Sequence, residues 1–117
     1  MSIFTEPLIV QDLGNGRWRV EAGFRYYIGS NHSEVFIDVP DGYETDFFSI
    51  PKFVRWLLPK TQHGNQAAVL HDYMCDHVKG LWKWKADVFL EAMTVLEVKP
   101  WRRNLMYWSV LAYGAVK

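Results

Sequence analysis

The chain has 117 residues, with 13 basic and 13 acidic side chains and a formal net charge of zero. That length is one domain's worth and lets a single core bury roughly 65% of the unfolded surface, so neither a second domain nor covalent staples are needed. Charge balance removes the basic footprint expected of a bulk nucleic-acid binder. One cysteine, Cys75, excludes an intramolecular disulfide framework. No basic start leads into a signal-peptide core, and no run approaches the roughly eighteen apolar residues of a membrane span, so a chain without signal peptide or transmembrane segment is expected.

In chain order, residues 1–40 read as strands joined by tight turns. Leu8-Ile9-Val10 and Trp18-Arg19-Val20 flank Gly14-Asn15-Gly16, residues that tolerate the positive φ of a hairpin turn. Phe24–Ile28 and Val35–Val39 flank a second turn at Gly29-Ser30-Asn31-His32. A small antiparallel sheet follows from this pattern. Residues 41–50 then lose all period and supply turn formers, and form a loop rich in polar groups, among them Thr45, Asp46 and Ser49.

The remainder, 51–117, reads as helical. A short helix is expected over 51–58, with Pro51 in its first turn and Pro59 as its stop. His63-Gly64-Asn65 offers a cap for a helix from about Gln66 to Val78, ended near Gly80. A third runs from about Trp82 to Val98. Pro100 opens a fourth, on which Trp101, Leu105, Trp108 and Leu111 share one apolar face. The fold class is α+β: an N-terminal antiparallel sheet followed by a bundle of three to four helices, all in one domain.

The chemistry-bearing residues cluster on that second helix and its neighbour. His71-Asp72-Tyr73 follows the apolar run Ala67–Leu70, and Asp87 comes sixteen residues after His71. An unpaired histidine or aspartate at such core-like positions would cost stability, so each must find a partner. On a helix, His71 and Asp72 point about 100° apart and cannot form a dyad with each other. If the next helix folds back across Lys79-Gly80-Leu81, Asp87 reaches His71, fixes its tautomer and leaves the other ring nitrogen as a general base. Asp72 is then spare for a divalent cation such as calcium, with Asp46 as a loop ligand. The competing reading makes all of these structural: Lys83 and Asp87 form an i,i+4 pair, and Asp46 is an Asx-turn acceptor. A zinc set of His71, Cys75 and His77 is poorly formed, because His77 projects elsewhere. Lys99, Arg102 and Arg103 make a small basic patch at the start of the last helix.

Three segments carry a resemblance. Gly42-Tyr43-Glu44-Thr45-Asp46-Phe47-Phe48-Ser49-Ile50-Pro51, then Ala67-Ala68-Val69-Leu70-His71-Asp72-Tyr73, then Ala86-Asp87-Val88-Phe89, with Met106-Tyr107 and Gly114 beyond, resemble the phage and prophage domain-of-unknown-function family 1353 over about residues 35–115. The resemblance implies a phage or prophage origin and brings no established activity. It selects Thr45, Ser49, Tyr73 and Tyr107 as supporting residues. The chain departs from the family pattern at Cys75, a position often held there by tyrosine.

A more distant likeness is to the phospholipase A(2) helix pair. It implies His71 activating water, Asp87 orienting it and Asp72 holding calcium, although the disulfides and glycine loop of that family are lacking here. Two functions stay open at this level. One is a small phage hydrolase, metal-assisted, with a cleft between the 42–50 loop and the His-Asp helix. The other is a virion component or host-protein partner, located in the particle or the host cytoplasm, in which the polar residues lock loop to helix. On that second reading exposed tryptophans mark the partner surface, and zero net charge favours self-association.

Overall fold

A computed structural model describes residues 3–30, 34–47, 50 and 62–116. Among the described residues, six short strands precede three helices: β1 Ile3–Phe4, β2 Val10–Gly14, β3 Arg17–Val20, β4 Phe24–Tyr27, β5 Phe36–Val39, β6 Glu44–Thr45, then α1 Gln62–His77, α2 Trp82–Val95 and α3 Pro100–Val116. The α+β class expected from the sequence is what forms. The expected helix over 51–58 and Ser49 lie outside the described residues.

The strands make two three-stranded antiparallel sheets, ordered β1-β4-β5 and β2-β3-β6. Both hairpins read from turn chemistry are present: β2 pairs with β3, and β4 with β5 from Phe24↔Val39 to Tyr27↔Phe36. Asn15 and Gly16 take φ of 56° and 76° in the first turn, the left-handed region that asparagine and glycine enter at least cost. The third strand of that sheet was not legible in the sequence. Glu44 and Thr45 pair with Arg19 and Trp18, and Val20 N–H donates to the Tyr43 carbonyl at 2.8 Å, so the start of the motif loop is stitched onto β3. Gly23 permits the crossing beneath it, since a Cβ there would lie 2.6 Å from the Val39 carbonyl oxygen.

Helix α1 is the centre of the molecule. Gln66 through Asp72 are all buried, so every face of these two turns is covered. Strands β5 and β6 contact it on one side and α2 on another, and α3 packs on α2. α2 also reaches the sheets, through Glu91 to the second hairpin. Two helix bounds depart from expectation. α1 begins at Gln62, ahead of the expected cap at His63-Gly64-Asn65, and α2 ends at Val95 rather than Val98. More consequentially, the α3 face carrying Trp101, Leu105 and Trp108 is not the core face. Those residues are 53%, 44% and 63% exposed, while Met106, Tyr107 and Val110 pack inward. Both stripes of α3 are apolar, so periodicity alone could not choose between them.

Gly114 sets the fit between α2 and α3. The Trp82 indole N–H donates to the Val110 carbonyl at 2.8 Å, and its ring lies where a Cβ on residue 114 would be, 1.8 Å from Nε1.

Candidate functional site

The motif residues do not meet at one point: those on β6 and α1 gather at the junction of the two elements, while Asp87 faces α3. His71 is completely buried. Its ring lies 4.9 Å from Phe89, tilted by 31°, and 5.6 Å from Trp82 in an edge-on arrangement. Cys75, one turn on, brings its Sγ to 3.7 Å from Nε2. Burial first, and then the positive charge of Lys85, push the imidazole down to about 3, so it is neutral at physiological pH.

Asp87 does not orient it. The Asp87 carboxylate accepts the Tyr107 hydroxyl at 2.6 Å and the Lys83 ammonium at 2.9 Å. Those two hydrogen bonds, Tyr107 foremost, hold it below the usual carboxylate range. The reason is helical phase. Trp82 and Phe89, two turns apart, form the α2 stripe that meets His71, and Asp87 is about 200° around the helix from Phe89. The expected i,i+4 pair of Lys83 and Asp87 does form. Asp87 thus joins α2 to α3 through Tyr107, whose hydroxyl is correspondingly harder to ionise.

Asp72 is also fully buried, and it accepts a short hydrogen bond from the Thr45 hydroxyl, which is buried as well. Thr45 Oγ1 in turn accepts the Phe47 N–H at 3.0 Å. Phe47 sits at φ 61°, a left-handed conformation that a bulky residue adopts at a cost, and the Thr45 bond spans it. The aspartate therefore acts as an anchor for the loop. Tyr73 completes the clamp, its ring 5.2 Å from Tyr43 and at 85° to it, with His77 stacked 4.9 Å from Tyr73.

Asp46 is exposed and lies elsewhere. It lines an open cleft of about 370 Å³ with Arg17, Glu44, Thr45 and Asp76, where Arg17 and Glu44 are ion-paired. Asp72 and His71 are not among the lining residues. The loop and helix thus do enclose a cleft, but Thr45 caps the buried aspartate beneath it. Among the described residues, no three His, Cys, Asp or Glu side chains come together as a metal-holding set. The fit to a phospholipase-like calcium site is therefore poor, because the carboxylate meant for the ion accepts a threonine hydroxyl. Among the described residues, no helix is long and apolar enough to cross a membrane.

Several participants escaped the sequence reading. Tyr43 buries its hydroxyl beside Thr45, Asp72 and Asp76; burial and then the Asp72 charge make it much harder to ionise. Glu91 accepts the Tyr26 hydroxyl at 2.6 Å and the Gly29 N–H at 3.0 Å, tying α2 to the second hairpin. Tyr43 stood inside a motif and was legible as such, whereas nothing local to Glu91 announces a partner 65 residues away.

The fold is α+β, and its polar motif residues tie separate elements together, Asp72 in the core and Asp87 at a part-exposed seam. Residues 18–110 match the family described as a protein of unknown function, DUF1353, and the chain belongs to that family. No curated protein and no solved structure matches it.

Proposed function

We propose that this chain is a non-catalytic phage protein, a virion component or a partner of another protein in the host, in which the His-Asp-Tyr and Ala-Asp-x-x-Phe motifs are structural. The observation that carries this reading is the burial of His71: a general base must reach substrate, and this imidazole is enclosed by Phe89 and Trp82 and held neutral. The partners of the other motif residues support it. Asp72 holds Thr45, Tyr73 packs on Tyr43, and Asp87 holds Tyr107, so each is engaged in joining elements of the fold.

One observation favours a hydrolytic alternative, with His71 as base, Asp87 as its orienter, and Asp72 and Asp46 on a divalent cation. The cleft beside the loop is open and carries Asp46 and Asp76. The test is turnover of ester and phospholipid substrates, with and without calcium, magnesium, manganese or zinc, by the wild type and by His71→Gln. The non-catalytic reading expects no turnover above buffer. Turnover that His71→Gln abolishes, in a variant with the wild-type circular dichroism spectrum, would overturn it.

A further inference from the structure

The outer face of α3 is an apolar band with no element of the described fold packed over it. Trp101, Leu105 and Trp108 fall at i, i+4 and i+7 and are 53%, 44% and 63% exposed, and Ala112, a further turn on, is exposed too. The thirteen residues from Asn104 to Val116 include no charged side chain. Covering Leu105, Trp108 and Ala112 thus desolvates no ion of the helix, the usual cost of burying a protein surface, while at Trp101 the Arg102 guanidinium lies 5.4 Å from the ring centroid. The charges of the helix are confined to its start, at Arg102 and Arg103 with Lys99 just before it, and all are positive.

We propose that this face pairs with the same face of a second copy of the chain, α3 against α3 and antiparallel, crossing at Leu105. The proposal rests on the non-catalytic reading above and names one partner for it. Charge selects the orientation. A parallel pair would set two basic ends side by side, whereas the antiparallel pair sets each basic end against the partner's uncharged half. A twofold axis at Leu105 brings Trp101 against the partner's Trp108, so the two exposed indoles of each copy cover each other, and the contact closes at two copies.

The area fits a weak dimer. Taking about 250 Å² for a tryptophan, the three side chains offer roughly 350–400 Å² per copy. A pair would bury roughly 700–800 Å² from them alone and approach the ~1,000 Å² of a specific contact once Asn104, Ser109 and Ala112 are added. Reversible association in the micromolar range follows. A membrane surface is the less suited occupant, because an interfacial helix carries its basic residues along the polar flanks, and here they stand at one end only.

The test is sedimentation velocity on the full chain from about 1 to 500 µM, repeated with Trp108→Glu, a substitution at a position 63% exposed whose one ring neighbour among the described residues is Tyr107. The expected result is a concentration-dependent dimer for the wild type and a monomer for the variant at unchanged melting temperature. Leu105→Cys should form a disulfide-linked dimer on mild oxidation, with the wild type, which keeps Cys75, as the uncrosslinked control. A wild type that stays monomeric at 500 µM overturns the proposal, as does a dimer that survives Trp108→Glu. Co-flotation of a monomeric wild type with phosphatidylcholine–phosphatidylglycerol vesicles, lost in Trp108→Glu, overturns it in favour of a membrane. None of these results bears on turnover, so failure here leaves the non-catalytic reading to its own assay.

Discussion

Mild acidification should destabilise this protein through His71. The imidazole is at about 3 in the fold and near 6.5 in the unfolded chain, so between those values the unfolded state binds the extra proton. A folded-state value below the unfolded one means that the contribution is fully present above pH 6.5 and is lost as pH falls. At pH 5 the gap exploited is 1.5 pH units, and at 1.36 kcal/mol per unit the loss is about 2 kcal/mol, or roughly 8 °C in melting temperature for a domain of this size. The assay is urea denaturation at pH 7.5 and pH 5.0 for the wild type and His71→Gln, which keeps a polar neutral side chain and cannot titrate. The wild type should lose about 2 kcal/mol more than the variant over that interval. Equal losses in the two proteins, or an NMR titration that places the His71 midpoint near 6.5, would refute the argument that burial governs this group.

Three further perturbations test the ties between elements. Thr45→Val removes the hydroxyl that bonds buried Asp72 and should cost about 2–3 kcal/mol by urea denaturation, while Ser at this position should recover most of it. Tyr107→Phe removes the link from α3 to Asp87 and should cost about 1 kcal/mol, with Asp87→Asn adding little on top, which a double-mutant cycle measures directly. Gly114→Ala pits two effects against each other: alanine gains up to ~1 kcal/mol of helix propensity, but its Cβ would lie 1.8 Å from the Trp82 indole. The overlap should win, with a net loss of about 1–3 kcal/mol and a shift in tryptophan fluorescence.

The motif residues show where reading the chain stops. Their burial was legible, since His71 and Asp72 follow four apolar residues and polar groups at such positions must be satisfied. Their partners were not. The sequence matches Asp87 to His71, since it lies on the next helix at a plausible distance, yet the phase of α2 turns Phe89 and Trp82 toward the histidine and Asp87 toward Tyr107. The same limit applies to α3, where two apolar stripes competed and packing on α2 chose Met106, Tyr107 and Val110.

By itself, then, the sequence determined the α+β class, both hairpins, the helices on either side of the Lys79–Leu81 turn and the family. These depend on local pattern: turn residues with positive φ, alternation in strands, and apolar spacing in helices. Only the tertiary structure decided that Thr45 belongs to a strand paired with β3, that the buried aspartate holds that strand's hydroxyl, and that the histidine sits in an aromatic enclosure. Those outcomes depend on the rotation of one helix against another and on strand pairing across 27 residues from Trp18 to Thr45, for which no local pattern carries a signal.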